Sequence, residues 1–266
     1  MASKPKRATT GAKPVTFRRE GEIAIVTLNR PEKRNALADD MVALLKRFFA
    51  DPPEGVRAAV ITGRGEHFSA GLDLSTLTDR DAVEGVHHSR SWHYAFEHIQ
   101  FGRMPVVAAL HGAVIGGGLE LAAACHVRVA DSTAFYALPE GQRGIYVGGG
   151  GSARLPRLIG VARMTDMMLT GRVYNAQDGE RLGFAQYLVE AGQALARAKE
   201  LAKKMAGNEG VTNFAVMHAL PRIADSTSEV GLFTESLMAS IAQSAPAAKA
   251  RLRAFLEGRA AKVKAQ

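Results

Sequence analysis

The stretch His111-Gly112-Ala113-Val114-Ile115-Gly116-Gly117-Gly118-Leu119-Glu120 decides how this chain is read. It follows Val106-Val107-Ala108-Ala109-Leu110, a short apolar run suited to a buried strand, and leads directly into the alanine-rich helical run ending at Cys125. Strand, glycine turn and helix in that order are the unit of an α/β fold with a largely parallel sheet. Glycines at a helix start expose bare backbone N–H groups, and the helix dipole there favours negative charge. Such a loop suits a phosphate or a developing oxyanion. It lacks the Gly-x-Gly-x-x-Gly spacing of a dinucleotide site, and Gly-x-x-x-x-Gly-Lys-Ser/Thr occurs nowhere, which excludes a P-loop.

Two further loops repeat the pattern. Ala58-Ala59-Val60-Ile61-Thr62 precedes His67-Phe68-Ser69-Ala70-Gly71-Leu72-Asp73-Leu74, and Val147-Gly148-Gly149-Gly150-Gly151-Ser152 opens another helical pattern. Taken singly, each glycine run is as readily a tight turn as a ligand loop. Upstream, Val15–Arg18 and Ile23–Leu28 predict a hairpin whose second strand stops at Asn29-Arg30-Pro31. Met41, Leu44, Leu45 and Phe48 fall on one face of a helix ending before Pro52. Strands alternate with helices to about residue 190, whereas 192–266 shows helical patterns and no convincing strand. The expected organisation is a disordered basic leader over 1–14, a core over 15–191, and a helical segment over 192–266 that docks on the core or on another subunit.

The chain has 266 residues, 47% of them hydrophobic, enough to bury a full core. Its net charge of +8 sits at the ends: residues 1–14 carry +4 and 249–266 carry +5, so the stretch between them is −1. The leader has no aromatic residue to stack a base, so a solvated tail is expected rather than a nucleic-acid arm, and a short transit peptide is the other reading. No apolar run is long enough to span a bilayer and the N-terminus lacks the apolar middle of a secretory signal, so a cytoplasmic protein without membrane partners is expected. The lone Cys125 forms no internal disulfide and reads as a small buried hydrophobe. No metal site is expected.

The acids that carry chemistry are Glu120 and Glu140. Glu120 lies in the first turn of a helix made otherwise of Leu, Ala and Cys, where it either faces the interior or stabilises the helix N-terminus by about 0.3 to 1 kcal/mol. Glu140 ends the mostly apolar Phe135-Tyr136-Ala137-Leu138-Pro139, either as a site residue or as an exposed turn.

Together with Thr27-Leu28-Asn29-Arg30-Pro31, Asn35-Ala36-Leu37, Leu169-Thr170-Gly171 and Ala254-Phe255-Leu256-Glu257, these loops make a chain that resembles the crotonase superfamily of enoyl-CoA hydratases and isomerases along nearly its whole length. The resemblance implies a spiral of ββα units, a C-terminal trimerisation segment, and a homotrimer or dimer of trimers. It implies a hydro-lyase of fatty-acyl metabolism acting on an acyl-CoA thioester, with coenzyme A entering as part of the substrate and no separate cofactor. The thioester oxygen is expected between the N–H groups of Leu72 and Gly117. Arg34, the Ala70–Leu74 segment with Asp73, and Gly148 are expected near coenzyme A, and Phe255 near that of a neighbouring subunit.

Hydratases of this family carry two glutamates, one three residues after the oxyanion glycine and one twenty residues later, the places that Glu120 and Glu140 hold relative to Gly117; many isomerases, hydrolases and decarboxylases of the fold lack one. The pair therefore implies water addition, with Glu120 as base and Glu140 as proton donor the favoured split and the reverse left open by the sequence. An isomerase, a hydratase that also hydrolyses its thioester, and an RNA-binding homologue are the alternatives. Two positions depart from the family pattern. His126 stands where an aspartate is usual, and Tyr146-Val147 replaces Ile-Pro. Core packing is expected for His126, Tyr146 and Trp92, with the acyl pocket as the second reading for Tyr146 and Trp92.

Overall fold

The computed structural model describes residues 13–76 and 79–259. Val15–Glu20 (β1) and Ile23–Leu28 (β2) form the expected antiparallel hairpin. The chain continues through Asp39–Ala50 (α1), Ala58–Gly63 (β3), Ala82–Gln100 (α2), Val106–Leu110 (β4), Ala113–Ile115 (β5), Gly117–Ala124 (α3), Val127–Asp131 (β6), Phe135–Ala137 (β7), Gly151–Ile159 (α4), Val161–Thr170 (α5), Tyr174–Asn175 (β8), Ala176–Leu182 (α6) and Tyr187–Val189 (β9). Ala194–Ala206 (α7), Gly210–Phe214 (α8), a π-helical turn at Ala215–Ala219, Leu220–Ala224 (α9), Ser228–Ser244 (α10) and Pro246–Leu256 (α11) complete it.

The large sheet runs β1-β2-β3-β4-β6-β9, parallel except for β1, and a small sheet runs β5-β7-β8. Each of β4-β5-α3 and β6-β7-α4 therefore places one strand in the large sheet, one in the small sheet, and then a helix. This is the ββα spiral of the crotonase fold. An isolated bridge between Ser69 and Val114 extends the small sheet's pairing to the loop after β3.

Alternation along the strands separates two apolar layers. Ala24, Val26, Ala59, Ile61, Val106, Ala108 and Leu110 face the main core with α1, α2 and α3. Ile23, Ile25, Ala58, Val60, Val107, Ala109 and Val129 face Ala194, Ala198, Leu201, Ala202 and Ala206 of α7. The strands are thus covered on both sides, which is why they read as continuous apolar runs.

Two expectations shift. α1 buries Met41, Val42, Leu45 and Phe49, while Leu44 and Phe48 are only partly buried, because Phe48 turns toward the hairpin and stacks on Phe17 at 4.5 Å. The leader's boundary also moves: Lys13 and Pro14 are tied to the body through hydrogen bonds from Asn29 to their carbonyls, and residues 1–12 lie outside the described residues. Among the described residues no helix is long and apolar enough to cross a membrane.

The C-terminal helices bury little of themselves. In α10 only Gly231 is buried and in α11 nothing is, although Leu232, Phe233, Leu237, Ile241, Leu252 and Phe255 are exposed.

Asn35 locks two loops together near the site. It is fully buried at φ 54°, accepts the Arg30 N–H at 2.9 Å, and donates to the carbonyls of Arg64 and His67 at 2.9 and 2.7 Å. Asn35→Ala is expected to lower unfolding stability in urea by about 2 to 4 kcal/mol, since it orphans buried backbone groups. A loss under roughly 1 kcal/mol would contradict that role.

Candidate active site

Two glycines bring two backbone segments into contact. Gly71 has φ 88°, and a Cβ there would lie 2.6 Å from the Ile115 carbonyl and 3.0 Å from Gly117 N. Gly117 begins α3, and a Cβ on it would lie 3.0 Å from the Trp92 ring and 3.3 Å from Leu72 N. The N–H groups of Leu72 and Gly117 therefore stand side by side, and neither donates to a backbone carbonyl among the described residues. The first N–H groups of a helix have no partner within it. Hydrogen bonds from Leu37 N to Gly71 O at 2.7 Å and from Asp73 N to Leu37 O at 2.9 Å hold the Leu72 side.

One turn into α3, Glu120 is 3% exposed. Its Oε1 accepts N–H bonds from Gly149 at 2.8 Å and Gly151 at 2.7 Å. The third glycine loop thus spends these donors on a protein carboxylate. Burial raises the Glu120 pKa, opposed by the two N–H bonds and by the charge of Arg154.

Glu140 follows β7 and is 7% exposed, so the surface-turn reading fails. Gly116, at φ 52°, leaves room for it, since a Cβ there would lie 2.6 Å from Glu140 Oε1. Burial pushes its pKa up to about 7, with the Glu120 charge adding to the rise and Arg143 opposing it. Its Oε2 is buried without a hydrogen-bond partner among the described residues.

Glu120, Glu140, Leu72, Gly117 and Gly148 all line one cavity of about 470 Å³. Its walls add Trp92, Ile145 and Val147, with Asp79, Arg80, His88 and Ser89 along one side. Trp92 is 4% exposed and its Nε1 donates to Asp39 at 3.1 Å, so it is at once packed and part of the cavity wall. Tyr146 also lines the cavity but is 68% exposed, which corrects its expected packing role. His126 packs as expected: Nδ1 accepts the Val106 N–H at 3.0 Å, Nε2 meets the Gln100 carbonyl, and burial lowers its pKa to about 4.

The other residues expected around coenzyme A do not line this cavity. Arg34 has φ 50° and its carbonyl accepts the Ala70 N–H, so both join the lock between loops. Asp73 is buried, and although burial works to raise its pKa, bonds from Ser75, Lys33 and Arg30 hold it well below the usual carboxylate range. Leu74 is exposed in a 3-10 turn, and Phe255 is exposed on α11. The sequence reading missed Arg154, and also the polar side of the cavity, where Asp39 accepts from His88 at 2.7 Å. Charged residues between Thr78 and Arg90 at helical spacing were the available signal for that wall.

The chain matches the enoyl-CoA hydratase/isomerase family over residues 18–266. It belongs to that family. It is 32% identical to a short-chain-enoyl-CoA hydratase of Clostridium acetobutylicum, covering 92% of this chain and 95% of the relative. A crystal structure from Rhodopseudomonas palustris, provisionally called an enoyl-CoA hydratase, is 58% identical with a TM-score of 0.91, covering 95% of this chain and 98% of that one. An enoyl-CoA hydratase structure from Bacillus anthracis superposes with a TM-score of 0.86 at 28% identity, covering 93% and 97%.

A folded-state pKa near 7 against an ordinary 4.5 means that Glu140 binds its proton more tightly folded than unfolded. Its contribution to stability is full below about pH 4.5 and is lost as pH rises through about 7. Glu140→Gln removes this loss, so the variant's stability relative to the parent should increase between about pH 5 and pH 8 by on the order of 1 to 3 kcal/mol. A difference in thermal midpoint that stays constant over that range would contradict the buried-acid assignment.

Proposed function

We propose that the protein adds water across the 2,3 double bond of an enoyl-CoA thioester. The observation that carries this reading is the pairing, in one cavity, of two buried carboxyls with two backbone N–H groups that have no backbone acceptor among the described residues. Two such donors in a water-poor site stabilise a thioester enolate, and removing one typically costs about 3 to 4 kcal/mol of barrier lowering. Because the donors are backbone groups, the side chain at Leu72 does not enter the chemistry.

The two acids divide the proton work. Two close carboxyls do not both ionise easily, so the pair holds a shared proton near neutral pH. Burial raises both carboxyls, but the two N–H bonds on Glu120 Oε1 and the charge of Arg154 favour its anion, so Glu120 takes the part of the base and Glu140, raised to about 7, that of the acid. Glu120 takes a proton from a water held between them as the water oxygen bonds to the β-carbon. The electrons of the double bond move onto the thioester oxygen, between Leu72 N and Gly117 N. Glu140 then gives its proton to the α-carbon as the enolate collapses, and the proton on Glu120 returns to Glu140 to reset the pair. The chain needs no cofactor of its own for these steps.

The exposed apolar residues of α10 and α11 support assembly with further copies of this chain as a trimer or dimer of trimers, since side chains such as Phe233 and Leu237 are unfavourable in water.

With crotonyl-CoA, absorbance of the conjugated thioester should fall as 3-hydroxybutyryl-CoA forms. Glu120→Gln and Glu140→Gln should each lower kcat by roughly 10²- to 10⁴-fold with far smaller changes in KM. kcat should fall on both sides of neutral pH, the alkaline limb reporting loss of the Glu140 proton. An unchanged absorbance with the folded parent protein would overturn the reading.

A further inference from the structure

The glycine run 149–151 separates two charged side chains, and each glycine makes room for one of them. A Cβ on Gly149 would lie 3.1 Å from Glu120 Oε2, and one on Gly151 would lie 2.8 Å from Glu120 Oε1. Gly150, at φ 94°, is turned the other way, and a Cβ there would collide with Nη1 of Arg154. Arg154 in turn donates through Nη1 to the Gly149 carbonyl at 3.1 Å and through Nε to Gln100 Oε1 at 2.7 Å. Gly149 is thus held from both sides: its N–H donates to Glu120 and its carbonyl accepts from Arg154. Gln100, at the end of α2, anchors the arrangement to the core.

We infer that Arg154 is a positioning residue for Glu120, holding the 149–151 loop in the geometry that presents two N–H groups to the carboxylate and keeping a positive charge behind it. The inference rests on the hydratase reading above, in which Glu120 takes the proton from water. The charged and titratable groups around Glu120 come from three directions. Glu140 faces it from the turn after β7, with Arg143 acting on Glu140, and Arg154 comes from α4. Beyond Arg154 stand His93 and Glu97 of α2 and Cys125 after α3. Burial, with Arg90 and Arg154 nearby, lowers the His93 pKa and so favours its neutral form, and burial raises the Cys125 thiol to about 12. Glu97 is the one other anion acting on Arg154 besides Glu120 among these groups. Removing Arg154 therefore takes away a cation that favours ionised Glu120, and the Glu120 pKa must rise.

The test is the pH dependence of kcat and KM for crotonyl-CoA hydration in the parent, Arg154→Met, Arg154→Lys and Gln100→Met. In Arg154→Met the acidic limb of kcat should move up by about one pH unit, with kcat at neutral pH down by about tenfold and KM within about twofold. Arg154→Lys, which keeps charge without the planar fork, should lose kcat while the limb stays close to the parent's. Gln100→Met, which touches neither the glycine loop nor Glu120, should shift the limb in the same direction by less. If Arg154→Met does not fold, Gln100→Met carries the test. An acidic limb of Arg154→Met coincident with the parent's, or of Gln100→Met where Arg154→Met does not fold, overturns the inference whatever happens to the thermal midpoint. If the parent hydrates nothing, the hydratase reading falls separately, and infrared titration of the buried carboxyl band in parent and variants decides this point: a shifted titration supports the role of Arg154 and a coincident one overturns it.

Discussion

Backbone passes against backbone where Gly71 and Leu72 meet Ile115, Gly116 and Gly117, and the rest of the site is laid out from that contact. A side chain at Gly71 would meet the Ile115 carbonyl at 2.6 Å, so the approach exists only because glycine is there. The approach sets the Leu72 and Gly117 N–H groups side by side. Because Gly117 is also the first residue of α3, Glu120 follows one turn later at a fixed distance. Gly116 donates to the Ala137 carbonyl at 3.0 Å, tying the same turn to β7, which delivers Glu140. Donors and acids are therefore located relative to one another by a single crossing of loops.

Burying two carboxyls beside each other is unfavourable, and the structure offsets this unevenly. Glu120 receives two N–H bonds and the neighbouring charge of Arg154, which favour its anion against the burial that raises its pKa. Glu140 receives much less and keeps its proton up to about pH 7. An asymmetric pair of this kind suits an acid and a base acting on one water, because the fixed donors around Glu120 favour the anion there and leave the proton to Glu140. The asymmetry originates outside the two glutamates, in the loop 149–151 and in the helix that carries Arg154.

Much of the fold was legible in the sequence because it depends on local pattern. The strands covered on both faces read as apolar runs, and the hairpin was marked by Glu20-Gly21 between them. Glu120 and Glu140 were legible only through their spacing from Gly117, since each alone fitted a helix terminus or a turn equally well. Their burial could not be read, because it depends on distant parts of the chain: Gly149 and Gly151 close on Glu120, and the turn at Gly116 closes on Glu140. The purpose of Gly149, Gly150 and Gly151 was hidden for the same reason: a glycine run looks alike whether it faces a ligand or a protein carboxylate. Asp73, read as a coenzyme A contact, proved to be held by Arg30 and Lys33, a pairing set by how two loops meet.

The most direct measurement is a crystal structure with a bound acyl-CoA that cannot be hydrated. The thioester oxygen should lie about 3 Å from both Leu72 N and Gly117 N, with one water or its replacement between Glu120 and Glu140 beside the β-carbon. A thioester oxygen away from those two N–H groups, or a β-carbon out of reach of both carboxyls, would contradict the assignment.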